Sequence, residues 1–133
     1  MDLQRADLVE SSFRTIFNDG DAFVDRFYTR LFEIYPEIKM LFVKSNMILM
    51  RKKLLQSLIL IVENLTDPST AGYLTNLGKS HLDHYGVLPK HFPMLGQALL
   101  ETLGEFLGEG WTPDVEQAWQ DAYEQISARM QYN

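Results

Sequence analysis

The sequence predicts an all-α fold of six or seven helices in a single domain over residues 1–133. Apolar residues recur at intervals of three and four along most of the chain, which is the spacing of one helix face. Turn-forming residues divide this pattern into blocks, and none of the blocks alternates apolar and polar residues as a half-buried strand does. With 133 residues, the chain is long enough to bury one core with room for a small bound group.

The first half of the chain contains two amphipathic helices and one hydrophobic helix. The first helix has an apolar stripe formed by Val9, Phe13, Ile16 and Phe17. After a turn at residues 18–21, the second helix has a stripe formed by Val24, Phe27, Tyr28 and Leu31. A long hydrophobic helix follows over about residues 47–66, and the proline-containing turn at residues 67–69 ends it.

Three further helices are predicted in the second half. The first is short and places Leu74, Leu77 and His81 on one face, because they are spaced by three and four residues. The next has a stripe formed by Phe92, Leu95, Leu99 and Phe106. The last has a stripe formed by Val115, Trp119, Tyr123, Ile126 and Met130. Thr112 as a cap with Pro113 in the first turn marks its start, since proline loses no helical hydrogen bond there.

Composition excludes several classes of function. The 18 acidic residues exceed the 12 basic ones, giving a net charge of −6, so we do not expect nucleic acid to be the main partner. Without cysteine, the chain has no disulfide framework, thiolate metal site or cysteine nucleophile, and histidine is its strong nitrogen ligand. The N-terminus opens into a charged amphipathic pattern rather than a signal peptide or a membrane span, so we expect a cytoplasmic protein without membrane insertion.

Several chemically distinctive residues occur at characteristic intervals. Tyr28 lies eight residues before Pro36, and Phe42 lies six after it. His81 follows Met50 by 31 residues, and a glycine follows His81 by 15. With the junction over residues 106–123, these intervals make the whole chain resemble the globin family. Within it, the chain is similar to bacterial single-domain globins, to the globin module of flavohaemoglobins and to neuroglobin. The resemblance implies a three-over-three globin fold around a haem pocket.

The resemblance assigns His81 as the proximal ligand of the iron in haem b, iron protoporphyrin IX. Iron ligation needs a neutral imidazole whose second ring nitrogen is held by an acceptor. Either Ser80 or a backbone carbonyl one turn earlier would serve as that acceptor. His84 is the rival ligand, but it would shorten the interval to Gly96 to twelve residues and break the match, so we expect it at the surface or at the haem edge.

The long hydrophobic helix supplies the distal side of the expected pocket. Met50 takes the position that globins usually fill with histidine or glutamine, and Leu54 packs one turn below it. A thioether donates no hydrogen bond, so Met50 either fills space or binds the iron as a sixth ligand. Placing Leu49 there instead would turn Lys53 into the pocket, and we therefore keep Met50.

Tyr28 is the expected hydrogen-bond donor to the gas. A directed hydrogen bond to a group with partial negative charge contributes about 1.5–3 kcal/mol and slows oxygen release. The alternative for Tyr28 is a core tyrosine bonded to a carbonyl oxygen.

The other expected cofactor contacts are mostly apolar, because a porphyrin requires flat apolar walls. Phe42 stacks on the macrocycle. The remaining contacts are Phe27, Leu77, Ser80, Tyr85, Val87, Phe92 and Leu95. Lys53 reaches a haem propionate or, with Arg51 and Lys52, forms a solvated charged face.

The resemblance implies reversible binding of dioxygen, and of carbon monoxide and nitric oxide, rather than catalysis. The alternatives are a gas-sensing module fused to a signalling domain, and a nitric oxide dioxygenase that depends on a separate reductase. In flavohaemoglobins a tyrosine and a glutamate back the proximal histidine. Here the counterpart of that tyrosine is Phe92 or His91. The chain ends at Asn133, before the position where a counterpart of that glutamate would occur, so we expect no fused-reductase mechanism. We do not expect peroxidase chemistry, because the expected pocket has no distal base. A monomer and a homodimer both remain open.

Overall fold

The computed structural model describes residues 2–131, and for residues 82–85 it describes the backbone alone. Within that range the chain forms α-helices, short 3-10 turns and no strand. The helices are α1 (Leu3–Ile16), α2 (Gly20–Ile34), α3 (Pro36–Lys39), α4 (Met47–Glu63), α5 (Thr70–Tyr85), α6 (Phe92–Leu107) and α7 (Pro113–Gln131). The all-α prediction is confirmed. No helix in the described part is long and apolar enough to cross a membrane.

Polar side chains begin three of the helices, including α4, where the Asn46 side-chain oxygen accepts the Leu49 N–H at 3.2 Å. The Asp2 carboxylate accepts the Arg5 N–H at 2.8 Å at the start of α1. The Thr112 hydroxyl accepts the Val115 N–H at 3.3 Å at the start of α7, with Pro113 in the first turn as predicted. These contacts pair amide groups that have no partner within the helix.

Two helices end earlier than the sequence suggests. α1 stops at Ile16, and Phe17 lies in a 3-10 turn with its side chain 49% exposed. Its predicted place in the inward stripe is therefore wrong, because the tighter turn changes the helical period. α4 ends at Glu63 rather than near residue 66. The Asn64 side-chain amide donates to the Leu60 carbonyl at 2.7 Å and so pairs one of the last helical carbonyls.

The main core lies between α1, α2, α6 and α7. Phe13 contacts Phe23 edge-on with ring centres 6.4 Å apart, and Phe23 contacts Phe106 at 5.4 Å. The Trp119 Nε1–H donates to the buried Ser12 hydroxyl at 2.9 Å. This core ties the two ends of the chain together and leaves α4 and α5 to complete the fold on one side.

Two glycines position α5. A Cβ atom on Gly78 would lie 1.8 Å from the Met130 carbonyl oxygen, so α5 approaches the backbone of α7 as only glycine allows. Gly86 follows the end of α5 with φ +66°, a conformation that favours glycine. Beyond it, the Val87 N–H donates to the His81 carbonyl at 3.2 Å. The histidine-bearing turn is thus fixed against both α7 and the following chain.

Candidate functional site

One cavity of about 350 Å³ receives side chains from α2, α4, α5, α6 and α7, and its size is within the range of cofactor pockets. Twelve of the thirteen predicted site residues line it: Phe27, Tyr28, Phe42, Met50, Lys53, Leu54, Leu77, Ser80, His81, Val87, Phe92 and Leu95. The side chains of the thirteenth, Tyr85, and of the rival ligand His84 lie outside the described residues. Helices that are far apart in sequence therefore bring the predicted site together.

His81 is half-buried in the wall that α5 forms. Its Nδ1 lies 2.8 Å from the Leu77 carbonyl oxygen. Since a carbonyl only accepts, Nδ1 carries the hydrogen in this contact, and the lone pair of the neutral ring is on Nε2. Of the two acceptors expected from the sequence, the structure shows the backbone carbonyl at Nδ1. A neutral imidazole oriented in this way has the chemistry that haem iron requires.

Tyr28 is buried in the α2 wall and is 7% exposed. Its ring centre lies 5.2 Å from that of Phe27, 5.9 Å from Phe32 and 5.8 Å from Phe42. Three neighbouring rings restrict the directions that the phenol can take. The ring of Tyr28 is therefore held among aromatic neighbours, and Phe42 is both a neighbour of this tyrosine and a wall residue.

The register of α4 decides which side chain enters the cavity. Met50 is 9% exposed and lines it, whereas Leu49 is 47% exposed. Met50 therefore faces inward, as placed from the sequence. Lys53 is exposed and also lines the cavity, so its side chain marks the mouth. Arg51 points elsewhere, toward the Asp25 carboxylate at 3.6 Å.

Several polar residues that the sequence analysis did not assign to the site also line the cavity, among them Gln56 and Tyr123. The Tyr123 hydroxyl donates to the Phe92 carbonyl at 2.5 Å. Burial raises the pKa of Tyr123 above its ordinary 10.0, so the phenol stays protonated. A Cβ atom on Gly96 would lie 2.5 Å from the Tyr123 ring. The sequence pattern placed Gly96 and Tyr123 on two separate predicted helices. It gave no signal that α6 and α7 meet at these two residues.

His91 is a second histidine in the cavity wall and, unlike His81, is buried. Its Nδ1 accepts the Leu88 N–H at 2.9 Å, so the neutral ring carries its hydrogen on Nε2. Burial, and then the charge of Lys90, lower the pKa of His91 below its ordinary 6.5, while Glu37 acts in the opposite direction. At neutral pH, His91 is therefore an uncharged hydrogen-bond donor.

These residues fit a haem. The wall is mostly apolar, as a porphyrin requires, and one of its polar members is the imidazole of His81, which the Leu77 carbonyl orients through Nδ1. Lys53 supplies a cation at the mouth, where the carboxylates of a bound porphyrin would remain in contact with water. The set of side chains, their burial and the tautomer of His81 are mutually consistent.

The family follows from comparison with known proteins. The family model described as Globin matches residues 25–130. The chain belongs to the globin family. Among solved structures, a bacterial globin from Campylobacter jejuni aligns with a TM-score of 0.84 over 98% of this chain and 94% of its own, at 20% identity. The predicted globin fold is thereby confirmed. Membership of the family implies haem binding.

Other relatives of this globin are described as flavohemoproteins, as a nitrite reductase and as a carbene transferase. A flavohemoprotein of Bacillus subtilis is 28% identical over 92% of this chain, and one of Chromobacterium violaceum is 30% identical over 90%. The chain spans only 31% and 30% of their lengths. An anaerobic nitrite reductase of Casuarina glauca is 34% identical over 77% of this chain and 73% of its own. An engineered carbene transferase, also described as a candidate nitric oxide dioxygenase of Rhodothermus marinus, is 27% identical over 96% of this chain and 89% of its own, with a TM-score of 0.84.

Proposed function

We propose that this globin holds haem b through His81 and binds dioxygen reversibly. The observation that carries the proposal is the 2.8 Å contact between His81 Nδ1 and the Leu77 carbonyl. It sets the tautomer that iron ligation needs, in a cavity also lined by Tyr28 and Met50. A haem bound there supplies an iron atom that binds diatomic gases.

The other roles in gas binding belong to side chains and backbone groups of the cavity wall. Leu77 fixes the ring orientation of His81 and raises its basicity through the Nδ1 contact. Tyr28 donates a hydrogen bond toward the gas, since Met50 has no N–H or O–H group. Phe42, Leu54 and the apolar residues of α6 exclude water from the site, which strengthens that hydrogen bond. Carbon monoxide and nitric oxide would bind at the same place.

Lys53 is the proposed contact of a haem propionate. It is exposed, yet it lines the cavity, so its ammonium group can reach a carboxylate at the mouth without being buried. An exposed pair of this kind contributes little free energy, about 0–1 kcal/mol. Lys53 therefore orients the cofactor more than it holds it.

The deciding experiment is the visible spectrum of the purified chain loaded with haem. We expect the Soret band to move on reduction by dithionite and again on addition of carbon monoxide. Under air, the reduced protein should give a stable spectrum that returns to the gas-free form under vacuum. A chain that retains no haem would contradict the proposal, and so would immediate irreversible oxidation in air.

Nitric oxide dioxygenation with a separate reductase is a second candidate. It is favoured by the match to flavohemoproteins and to the Rhodothermus marinus protein described as a candidate nitric oxide dioxygenase. The reaction combines nitric oxide, dioxygen and one electron to give nitrate, so it needs an electron donor on every turnover. Nitrate formation at a rate that depends on the added donor would favour this candidate over oxygen binding alone.

A further inference from the structure

Charge is distributed unevenly along this chain. Residues 38–62 contain five lysines and arginines and no aspartate or glutamate. Over residues 38–91 there are seven basic and three acidic residues, whereas the rest of the chain has five basic and fifteen acidic residues. A globin with a net charge of −6 therefore has one segment with an excess of positive charge, which can attract a negatively charged partner.

The same segment exposes apolar side chains. Met40 is 68% exposed, Val43 66%, Ile48 66% and Leu49 47%. Four exposed lysines lie between or beside them: Lys39, Lys44, Lys52 and Lys53. We call these eight residues the mouth patch. Large apolar side chains that cluster at the surface among polar ones are typical of an interaction site.

The mouth patch adjoins the cavity. Leu41 and Phe42 line the cavity and are flanked in sequence by exposed patch residues, and Met50 lines it directly after the exposed Leu49. Lys53 belongs to both sets. Because neighbouring Cα atoms are about 3.8 Å apart, a partner on the patch would stand close to the group that the cavity holds.

The lysines of the patch keep their charges available. In the described part of the chain, each of the ion pairs formed uses an arginine. Arg51, in the middle of the segment, is one of them, with Asp25 as its partner at 3.6 Å. The positive charge around the mouth is thus not neutralised within the described structure.

We propose that the mouth patch is the docking surface for an electron-donor protein with an acidic face. The inference rests on the proposed function, because only a bound haem iron would need reduction. An apolar centre with basic residues around it complements an apolar centre with an acidic rim. Electron-transfer complexes bury little area and dissociate quickly, so opposite charges act mainly by raising the rate of association.

The electron balance is simple. The reduced centre of the donor, a flavin or an iron–sulfur cluster, loses one electron and is oxidised. Ferric haem iron gains that electron and becomes ferrous. No atom is transferred, so the complex needs only proximity and a defined orientation.

An acidic protein fits the patch better than an anionic membrane does. A protein partner covers about 800 Å² of one surface, which confines it to the patch. A membrane is an extended plane and would also approach the exposed carboxylates of Glu33, Glu37 and Glu63, which bound the basic segment on both sides. Their repulsion acts over about 8–10 Å at moderate salt.

The test compares two double variants of the haem-loaded protein, with an acidic plant-type ferredoxin as the donor. Lys44→Glu with Lys52→Glu reverses two charges in the patch. Lys79→Glu with Arg129→Glu reverses two exposed charges elsewhere and changes the net charge equally. Binding is followed by shifts of the globin's backbone amide signals on titration, and ferric iron reduction by stopped flow. We expect the patch variant to lose affinity and reduction rate about tenfold at low salt, with the control variant unchanged.

Several results would overturn the proposal. Equal losses in both variants would show that net charge alone matters. Salt-independent binding, or amide shifts outside residues 39–53, would place the surface elsewhere. Patch-dependent binding to vesicles of phosphatidylserine and phosphatidylcholine, without binding of ferredoxin, would assign the patch to a membrane. If the reduced protein gives a normal carbon monoxide spectrum but does not bind ferredoxin, the docking surface is refuted and the proposed function is not. A missing haem spectrum refutes the proposed function, and the amide titration still reports on the patch.

Discussion

The two sides of the molecule differ in how completely their helices are buried. α1, α2, α6 and α7 supply most of the buried side chains, with Phe23 at 1% and Leu103 at 0% exposure. α4 has 17 residues but buries only Met50, Ile61 and Val62. Its other inward-facing side chains are half-buried, several of them because they line the cavity.

This difference shows that some helices mainly form the core and others mainly form the site. The well-packed side forms its core from its own residues, whereas α4 and α5 face a cavity that a cofactor would fill. Helices with few buried contacts open more readily, and a ligand that binds only the folded protein stabilises them. We therefore expect changes on the cavity side to alter cofactor and gas binding, and changes on the packed side to alter stability.

The largest effect on the cavity side is expected from His81→Ala. The variant removes the only nitrogen ligand that we place at the iron, so it should lose stable haem retention while keeping its helical content. Gel filtration followed by the visible spectrum measures retention, and far-ultraviolet circular dichroism checks the fold. Added imidazole should restore a ligated spectrum, because it can enter the space left by the side chain. Normal haem retention without imidazole would disprove the assignment of His81.

Where α5 of the cavity side packs against α7 of the packed side, Gly78→Ala should give the largest loss of stability. The new Cβ would lie 1.8 Å from the Met130 carbonyl, so α5 must move away from α7. Overpacking of this kind costs about 1–3 kcal/mol. The control is Gly72→Ala in the same helix, where nothing lies within 4 Å of the added Cβ; it should stabilise by about 0.4–1 kcal/mol. Chemical unfolding of both variants measures the difference, and equal effects would contradict the close approach of α5 and α7.

Much of the fold was predictable because its signals are local. Helix periodicity placed Val24 and Leu31 inside α2 and Trp119 inside α7, and all three are buried. Thr112 and Pro113 marked the start of α7 correctly. Phe17 was placed wrongly because periodicity does not show where an α-helix tightens into a 3-10 turn.

Most residues that we expected at the site do line the cavity, but the contacts between them were not predictable from the sequence. Spacing within each helix, together with the family resemblance, selected side chains that the structure brings to one cavity. The contact of Gly96 with Tyr123 joins two helices, and single-helix periodicity does not show which helices meet. The hydrogen bond between Leu88 and His91 depends on the backbone path of a short connection, which has no periodic signal.

Among changes in the cavity wall, Tyr28→Phe should have the largest effect after His81→Ala. Loss of one hydrogen bond to a partly charged ligand should speed oxygen dissociation by about tenfold, equivalent to about 1.4 kcal/mol. Flash photolysis or stopped flow measures the rate. Tyr35→Phe is the matched control, since its hydroxyl donates to Gln97 and Tyr35 is outside the cavity lining. An equal off-rate in wild type and Tyr28→Phe would show that the phenol has another role.

Met50→Leu should have a smaller effect. The two side chains have similar volume, so the stability cost should stay below about 1.5 kcal/mol. If Met50 fills space in the wall, where it is 9% exposed, the gas-free reduced spectrum should remain that of the wild type. Met94→Leu, at a half-buried position outside the cavity lining, provides the comparison. Loss of a six-coordinate spectrum in Met50→Leu alone would instead identify the thioether as an iron ligand.

The smallest expected effect is a pH dependence that His91 adds to the cavity wall. Burial and the charge of Lys90 lower the pKa of His91 in the folded protein below 6.5, against an opposing effect of Glu37. Between the two pKa values the unfolded chain binds more protons than the folded one, so stability falls as pH decreases through 6.5. The thermal midpoint should therefore drop toward acid pH more steeply in the wild type than in His91→Gln.

The comparison between the wild type and His91→Gln isolates His91, because the two chains are identical at every other position. Burial is the main cause of the lowered pKa of His91; Lys90, on the connection to α6, adds to the lowering, and Glu37, on α3, opposes it. If Glu37→Gln lowers the pKa of His91 further, it should extend the pH range over which stability declines. Parallel melting curves for the wild type and His91→Gln between pH 7 and pH 5 would show that His91 titrates alike in the folded and unfolded chain, and would leave the cavity wall without this pH dependence.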